Sequence, residues 1–379
     1  MEEVIEASEA VARAAALCKP AVIPMYPITP QTHIVEKLAS MISKGELDAE
    51  MIHAESEHSA LSAAIGASAT GARVFTATSA QGLALMHEVL FIASGMRLPI
   101  VMAVANRSLS APINIWNDQQ DTISERDSGW VQLYAESAQE ALDTTIMAFK
   151  IAESKKVLLP VMVCIDGFTL SHLFEPVEIP EQKDVNRFLP EFKPEDFLDP
   201  KSPKSFGPIA FPNTYAWFRK MQQEAMKNAV PEIKRVNLEF KKSFGRAYGD
   251  GLIEEYMMQD AEYAIIAIGS VCGTIRSVID EMRSRGKRYG MIRIKSLRPF
   301  PQEELKKSAS RLKGICVIDR NLSPGLGGAV VNEVRAVLPN KKVCSAIAGL
   351  GGMDITPEHI KEAFRIAERG SQKEHWLLK

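Results

Sequence analysis

The amino-acid sequence predicts an α/β protein with two doubly wound parallel-sheet domains. Short, continuously apolar runs alternate with stretches of helical spacing, and this alternation stops near residue 176 and resumes after residue 245. Strands that are apolar throughout are typical of a parallel sheet that helices cover on both faces. The length of 379 residues agrees with about two domains of roughly 150 residues each.

The first predicted domain occupies about residues 1–175. Its apolar, strand-like runs are 21–26, 74–78, 98–105 and 157–165. The helical stretches are 31–42, 57–70, 82–93 and 139–154, and Glu50–His53 leads into the second of them. This order is typical of βα units in one parallel sheet.

Residues 176–245 differ in composition from the segments on either side. Prolines are concentrated between 176 and 212, and helical spacing returns over 215–241. The segment keeps many aromatic side chains, among them Phe188, Phe192, Phe197, Phe206, Phe211, Tyr215, Trp217 and Phe218. We therefore predict an ordered excursion that packs on the chain's own body or on a partner.

The second predicted domain follows this excursion. Its strand-like runs are 263–268, 291–294, 315–319 and 343–347, and the helical stretches after them are 274–285, 302–312, 329–338 and 357–367. These βα units predict a second, smaller doubly wound domain. We accordingly divide the chain into 1–245, which includes the excursion 176–245, and 246–379.

Composition excludes several classes of protein. The net charge is −2 and no long basic stripe occurs, so a nucleic-acid backbone would find little to bind. The longest apolar runs are about half the ~20 residues that span a bilayer. The N-terminus, Met1-Glu2-Glu3, is acidic where a secretory signal is basic. We expect a cytoplasmic chain that binds neither nucleic acid nor membrane.

Cysteine and histidine spacing argues against a metal site on this chain. The five cysteines lie far apart with no CxxC, and an iron–sulfur cluster needs about four thiolates. The seven histidines show no HxxxH or HExxH spacing. We expect neither a cluster nor a zinc site here.

Three positions are candidates for a functional site, and each also has a purely structural explanation. Thr29 is predicted as a helix N-cap with Pro30 after it, which is a good helix start but also a place where anions bind. Glu57 opens the next helix, where a carboxylate either compensates the helix dipole or is a buried proton partner. Arg107 follows an apolar strand and either makes a surface ion pair or clamps a carboxylate.

Longer motifs around these positions resemble the α subunit of pyruvate:ferredoxin oxidoreductase, a member of the 2-oxoacid:ferredoxin oxidoreductase family. The similar segments are 26–30, 55–60 with 66–68, 78–86, 106–112, 126–130, 166–168, 298–301 and 349–352. The resemblance covers nearly the whole chain. It implies oxidative decarboxylation of pyruvate on thiamine diphosphate, formation of acetyl-CoA, and transfer of electrons to ferredoxin.

The same resemblance implies roles for individual residues and domains. The first domain is similar to a thiamine pyrimidine-binding domain and the second to the C-terminal domain of transketolase. Glu57 matches the catalytic glutamate that contacts the aminopyrimidine ring, and Glu55 is its rival. Thr29 and Arg107 match the residues that hold the substrate. Two more positions, Ser79 and Gln81, are expected to contact the cofactor.

Missing motifs imply partner subunits. Gly249-Asp250-Gly251 resembles the start of the GDG…N motif that binds diphosphate and Mg²⁺, but no apolar strand precedes it and no Asn follows before Asn321. We interpret it as a turn, and the glycine groups 325–328 and 349–352 as tight βα turns. Mg²⁺ and [4Fe-4S] clusters are therefore expected on β-, γ- and δ-type subunits, and this chain should be inactive alone.

Two features leave alternatives open. Members of the family often carry Asp-His-x-Asp where this chain has Asp118-Gln119-Gln120-Asp121, so we leave this loop out of the predicted catalytic set. Related enzymes that act on branched-chain or aromatic 2-oxoacids share most of these motifs. A non-oxidative thiamine enzyme half and a catalytically inactive assembly subunit are the remaining alternatives.

Overall fold

The computed structural model of the protein describes residues 2–378. The first half follows the predicted alternation of strands and helices. Its elements are β1 (Glu2–Glu6), α1 (Ala7–Leu17), β2 (Val22–Met25), α2 (Thr32–Ser43), β3 (Glu50–His53), α3 (Glu57–Ala69), β4 (Phe75–Thr78), α4 (Ala80–Leu85), α5 (His87–Gly95), β5 (Val101–Asn106), α6 (Gln120–Ser124), β6 (Val131–Tyr134), α7 (Ala138–Ala152), β7 (Val161–Asp166) and β8 (Phe174–Glu178).

The central sheet of this half contains β6, β7, β5 and β4 in that order, all parallel. Along β7, Val161 and Val163 belong to one buried core, whereas Met162 and Cys164 belong to another on the opposite face. Because both faces are buried, the strand is apolar from Val161 to Ile165. The predicted doubly covered parallel sheet is confirmed.

The excursion contains two helices, α8 (Gln182–Phe188) and α9 (Pro212–Phe244). The second half of α9 packs on the chain's own body, with Ile233, Val236 and Phe240 buried in the core that α1 and α7 also line. The first half of α9 leaves large apolar side chains exposed, among them Phe211, Tyr215, Trp217 and Phe218. The predicted helix is therefore present over its whole length. Its packing on the chain's own body is limited to its second half.

The second half of the chain also alternates strands and helices, as predicted for the second α/β domain. Its elements are β9 (Ile253–Tyr256), β10 (Tyr263–Ala267), α10 (Val271–Ser284), β11 (Tyr289–Ile294), β12 (Ser296–Arg298), α11 (Gln302–Ser308), β13 (Gly314–Asp319), α12 (Ala329–Val337), β14 (Val343–Ala348), α13 (Pro357–Arg369) and β15 (Glu374–Leu377). Six strands form one sheet in the order β15-β14-β13-β10-β11-β9, and only β9 is antiparallel to its neighbour.

The two halves of the chain are in direct contact, through a pair of strands and a shared core. Strand β12 of the second half pairs antiparallel with β6 of the first sheet, opposite Leu133 and Gln132. One core cluster contains Met102 of β5 together with Ile266 of β10. The two sheets therefore share buried apolar surface. No helix among residues 2–378 is long and apolar enough to cross a membrane.

Two helix boundaries near the predicted site residues differ from the sequence prediction. The helix predicted from residue 31 begins at Thr32, so Thr29 is not its N-cap, and the N-cap position belongs to Gln31. The helix predicted over 82–93 is divided into α4 and α5 at Met86, whose amide bonds to the carbonyls of both Gly82 and Leu83. Such a shared bond is typical of a local tightening of the helix.

Candidate active site

The predicted site residues follow the carboxyl ends of parallel strands. Thr29 follows β2, Glu57 follows β3, Ser79 and Gln81 follow β4, and Arg107 follows β5. Strands β2 and β3 form a parallel pair of their own, and a parallel bridge between Val22 and Val74 places β2 alongside the start of β4. The carboxyl ends of parallel strands meet at one edge, where ligands bind. The topology therefore brings all five predicted residues to the same side of the first domain.

Glu57 occupies the first position of α3 and is buried, with 7% of its surface exposed. The helix begins there because Ser56 is an N-cap whose hydroxyl accepts the Ser59 amide at 3.2 Å. Among residues 2–378, no hydrogen-bond or ion-pair partner of the Glu57 carboxylate is found. The rival, Glu55, is exposed and accepts a hydrogen bond from the Ser59 hydroxyl. Glu57 is therefore the buried carboxylate of the two.

Gly82 creates the space in which the Glu57 carboxylate lies. A Cβ atom at residue 82 would be 2.5 Å from Thr78 Oγ1 and 2.6 Å from Glu57 Oε1. Thr78 Oγ1 and both amide atoms of Gln81 are buried without a hydrogen-bond partner in the described chain. Unsatisfied buried polar atoms are costly and rare, so Thr78 Oγ1 close to the Glu57 carboxylate, with the Gln81 amide three residues later in the same segment, indicates a place where another molecule supplies the missing partners.

Ser79 has a partner within the chain. It is fully buried as the N-cap residue of α4, and its hydroxyl donates to the Ala105 carbonyl at 2.6 Å. This bond joins the segment after β4 to the end of β5. The proton of the hydroxyl is used here, so a cofactor could reach Ser79 only through its oxygen lone pairs or its backbone.

We expect Gly82→Ala to reduce turnover about 100-fold and to lower stability as well. The three atoms nearest to the new Cβ are Thr78 Oγ1, Glu57 Oε1 and Glu57 Cγ, all closer than 3.0 Å and on buried side chains, so Glu57 must move. A catalytic group displaced by about 1 Å can cost roughly 10²-fold in rate. The measurement is kcat and thermal midpoint of the purified complex.

The matched control for this change is Gly66→Ala in α3. A Cβ there meets nothing within 4 Å, so alanine should raise helix stability by about 0.5–1 kcal/mol and leave turnover unchanged. Equal losses of turnover in both variants would contradict the proposal that Gly82 leaves the space in which the Glu57 carboxylate lies.

Thr29 and Arg107, the two predicted substrate residues, lie in contact. The Arg107 guanidinium donates from Nη1 to the Thr29 carbonyl at 3.0 Å and from Nε to the Asn114 carbonyl at 3.0 Å. Burial lowers the pKa of Arg107 and the Asp121 charge opposes this, so the side chain stays cationic. No hydrogen bond from Nη2 is found within 2–378, which leaves that edge of the guanidinium for a ligand.

The Thr29 segment is held by a side chain other than the one predicted. Gln31 is fully buried and donates from Nε2 to the Ala77 carbonyl at 2.8 Å and to the Tyr26 carbonyl at 3.3 Å. It therefore fixes residues 26–31 against β4. The Thr29 side chain is exposed and free of the capping role that the sequence suggested.

The loop that the sequence prediction left aside, 118–121, lies in the middle of the site. Asp121 is 1% exposed and accepts hydrogen bonds from the backbone amides of Ala80 and Arg107, both at 3.0 Å. Burial raises the pKa of Asp121 to about 7, although four N–H donors favour its charged form. The shared Asp-x-x-Asp spacing is the sequence signal that could have identified this residue.

The second domain closes one side of the site. Asp166, at the end of β7, accepts from the Arg320 guanidinium at 2.8 Å and from the Ser270 amide at 2.9 Å. Gln119 donates to the Ile268 carbonyl at 3.1 Å, in the loop after β10. Within residues 2–378, no three His, Cys, Asp or Glu side chains are grouped as they would be around a metal ion.

Comparisons of the sequence give two family matches. Residues 13–237 match the family described as pyruvate flavodoxin/ferredoxin oxidoreductase, thiamine diphosphate-binding, and residues 261–360 match pyruvate:ferredoxin oxidoreductase core domain II. Pyruvate synthase subunit PorA of Methanothermobacter thermautotrophicus is 52% identical over 375 residues, which is 99% of this chain and 97% of the relative. The PorA subunit of Methanocaldococcus jannaschii is 55% identical over 369 residues, or 97% and 95%.

A relative with another substrate in its name is also similar. Ketoisovalerate oxidoreductase subunit VorA of Pyrococcus horikoshii is 45% identical over 366 residues, which is 95% of this chain and 92% of the relative. It is less similar than both PorA subunits named above.

Two solved structures share the fold. The 2-oxoglutarate:ferredoxin oxidoreductase of Magnetococcus marinus aligns with a TM-score of 0.74 at 20% identity and covers 98% of this chain, which spans 65% of that one. A split-gene transketolase aligns with a TM-score of 0.54 at 14% identity, covering 96% of this chain and 98% of that one. At these identities the likeness concerns the fold alone.

Proposed function

The chain belongs to the pyruvate:ferredoxin oxidoreductase family, and from that membership we propose that its first domain supplies the pyrimidine side of a thiamine diphosphate site which a partner subunit completes. The protein is a subunit of an enzyme that oxidatively decarboxylates pyruvate to acetyl-CoA and CO₂ with ferredoxin as electron acceptor. The observation that carries the proposal is the buried, unpartnered Glu57 carboxylate beside Gly82. It lies within the matched thiamine diphosphate-binding region, 13–237.

The polar atoms at this edge fit the cofactor. An aminopyrimidine ring carries both donors and acceptors, and the Glu57 carboxylate, the Thr78 hydroxyl and the Gln81 amide offer the complementary groups. Thr78 and Gln81 have buried atoms that lack partners within the described chain. Bound thiamine diphosphate would supply the electron sink that decarboxylation of a 2-oxoacid needs.

Two functions follow for the chain's own side chains. Glu57 holds a proton at its carboxylate and exchanges it with the bound ring, a role for which a buried acid is suited. Arg107 binds the oxoacid carboxylate, and Thr29, whose carbonyl Arg107 contacts, lies beside the same substrate. Charge-assisted hydrogen bonds from Arg107 would hold the oxoacid carboxylate in a fixed orientation. The substrate would then lose less entropy in reaching the reactive geometry.

The partners are proposed from the same membership. We assign Mg²⁺ and [4Fe-4S] clusters to β-, γ- and δ-type subunits, because all five cysteines are buried free thiols and residues 2–378 contain no group of three His, Cys, Asp or Glu side chains that could hold a metal. A cytoplasmic location remains a prediction. The test is anaerobic copurification of the native complex, followed by measurement of iron, thiamine diphosphate and CoA-dependent viologen reduction with a panel of 2-oxoacids.

The panel also tests the second candidate, a 2-oxoisovalerate oxidoreductase, which the VorA relative favours. We expect a brown complex that prefers pyruvate. Preference for a branched or aromatic oxoacid would keep the site and change the substrate. Oxoacid turnover by a colourless complex without viologen reduction would contradict the oxidoreductase proposal.

We expect Arg107→Ala to raise KM for pyruvate roughly 10- to 100-fold, the range for losing a hydrogen bond to a charged group. A simultaneous fall in kcat would mean that the grip tightens in the transition state. Steady-state kinetics of the complex with varied pyruvate measures both constants.

Arg97→Ala is the matched control for Arg107. Arg97 also donates to backbone carbonyls, those of Leu158 at 3.0 Å, Val157 at 2.5 Å and Met221 at 3.5 Å, but lies at the start of another loop. It should lower stability and leave KM for pyruvate unchanged. An equal rise of KM in the two variants would show that loop packing, and not substrate binding, is what Arg107 provides.

A further inference from the structure

One carboxylate joins the two segments on which the proposed site is built. Asp121 Oδ2 accepts the Ala80 amide and the Arg107 amide, each at 3.0 Å. Its Oδ1 accepts the Asn106 side-chain amide at 2.7 Å and the Thr122 amide at 2.8 Å. Asp121 is 1% exposed, so water does not compete for these bonds. The loops after β4 and β5 therefore have a common buried anchor.

The segment after β4 needs such an anchor. Ala80 has a φ of +43°, in the left-handed region that a residue with a Cβ adopts only at a cost. It stands between Ser79 and Gln81 at the start of α4, so its conformation sets the direction of this helix and the position of Gly82 beside the Glu57 carboxylate. The bond from its amide to Asp121 is one interaction that holds this conformation in place.

The segment after β5 is anchored at Arg107, the residue proposed to bind the substrate carboxylate. Asp121 binds the backbone of Arg107, while the guanidinium of Arg107 extends to the Thr29 carbonyl. Displacement of this backbone would displace the guanidinium with it. Asp121 itself contacts neither the guanidinium nor Glu57 in the described hydrogen-bond network.

We propose that Asp121 is a positioning residue that sets the distance and orientation between the cofactor side of the site, Gln81 and Gly82, and the substrate side, Arg107. The inference rests on the proposed function, because it takes these segments to bind thiamine diphosphate and the oxoacid. It adds a residue that acts on both ligands through the backbone. One substitution at 121 therefore weakens the binding of both.

The geometry predicts different results for two substitutions. Asp121→Ala removes the acceptor from both loops. Asp121→Asn keeps one oxygen for the Ala80 and Arg107 amides, which are the bonds to the two loops. Its new NH₂ group faces Asn106, whose Oδ1 has no partner and can accept after the amide turns over, and only the bond from the Thr122 amide, within the loop of residue 121 itself, is lost. The amide variant should therefore restore most of what alanine loses.

Asp319 provides a matched control in the second sheet. It is fully buried and accepts two backbone amides, those of Val330 at 2.9 Å and Val331 at 3.1 Å, together with the side-chain amide of Asn321 at 3.0 Å. These bonds anchor the start of α12, which carries no proposed site residue. Asp319→Ala should lower stability by a similar mechanism without affecting either ligand.

The experiment uses the purified complex with each variant. KM for pyruvate, the thiamine diphosphate concentration that half-restores activity to cofactor-depleted enzyme, and the thermal midpoint are measured. We expect Asp121→Ala to raise the first two at least 10-fold each, Asp121→Asn to stay within about threefold of wild type, and Asp319→Ala to change the midpoint alone.

Three outcomes would overturn the inference: a change in thermal midpoint alone in Asp121→Ala, equal changes of both ligand constants in Asp319→Ala, or no recovery in Asp121→Asn. Failure of the proposed function is distinguishable, because wild-type complex would then show no thiamine-dependent pyruvate turnover. With an active wild type, a negative result for Asp121→Ala concerns this inference only.

Discussion

Glu57→Gln should lower kcat by about 10²- to 10⁴-fold, the range for loss of general acid–base catalysis, while the complex still assembles and still binds pyruvate. Glutamine has nearly the shape of glutamate but cannot exchange the proton. No hydrogen-bond or ion-pair partner of the Glu57 carboxylate occurs within residues 2–378, so the substitution leaves no charge unpaired.

Stability should change much less than the rate. Glutamine has nearly the volume of glutamate, so the substitution opens no cavity at this buried position. We therefore expect a nearly unchanged thermal midpoint together with a much lower rate.

Glu55→Gln is the control for Glu57. Glu55 lies two residues earlier, is exposed, and accepts only from the Ser59 hydroxyl. Its amide variant should keep wild-type kcat and KM. A wild-type rate in the Glu57 variant would favour the alternative of an assembly subunit without a catalytic role, whereas equal losses at both positions would indicate a general effect of charge near the start of α3.

The fold could be predicted because its signal is local. β7 is apolar at successive positions since one face packs against α1 and α7 and the other against the second core, and such a run is visible in sequence. Glu57 could be placed at a helix start for a similar reason, because Ser56 and Ser59 form a local cap.

Features that depend on distant partners could not be predicted. β12 is short and pairs with β6, which lies more than a hundred residues earlier, so no local pattern reports it. Thr29 follows a strand and precedes a proline, but the tertiary bonds of Gln31 delay the helix to Thr32. The importance of Asp121 arises from amides that only the folded chain brings to it.

The contact between the two halves of the chain includes a buried network of ions. Glu140 of α7 is fully buried and accepts hydrogen bonds from Arg293 of β11 and, at 2.5 Å, from Lys295. Arg293 also reaches Glu254 at 2.9 Å and Glu136 at 3.2 Å. Each cation therefore has an anionic partner, and Glu140 is the only residue that contacts both of these cations within the described network.

The charges of this network depend on one another. Burial alone would raise the pKa of Glu140, but Arg293 and Lys295 outweigh it and lower this pKa to about 2. Burial also lowers the pKa of Lys295 against the attraction of Glu140. The Lys295 Nζ lies within hydrogen-bond distance of both Glu140 and Thr144, so the network offers two acceptors to its ammonium form.

Glu140→Ala should destabilise the chain by about 3–5 kcal/mol, the cost of breaking a buried ion pair by removing one partner. It leaves two buried cations near each other and opens a cavity between the halves. We expect the thermal midpoint of the complex to fall by on the order of 5–10 °C at neutral pH. Glu362→Ala is the control: its ion pairs with Arg365 and Arg369 lie at the surface, so its effect should stay below about 1 kcal/mol.

Acidification provides a second test of Glu140. Because its folded pKa, about 2, is below the value of 4.5 for an ordinary glutamate, its contribution to stability is fully present above about pH 5 and is lost as the pH falls toward about 2. The difference in thermal midpoint between wild type and Glu140→Ala should therefore shrink over that interval. Midpoints recorded along a pH series measure it. A difference that stays constant on acidification would mean that the lost side-chain volume, and not the ion pair, accounts for the destabilisation.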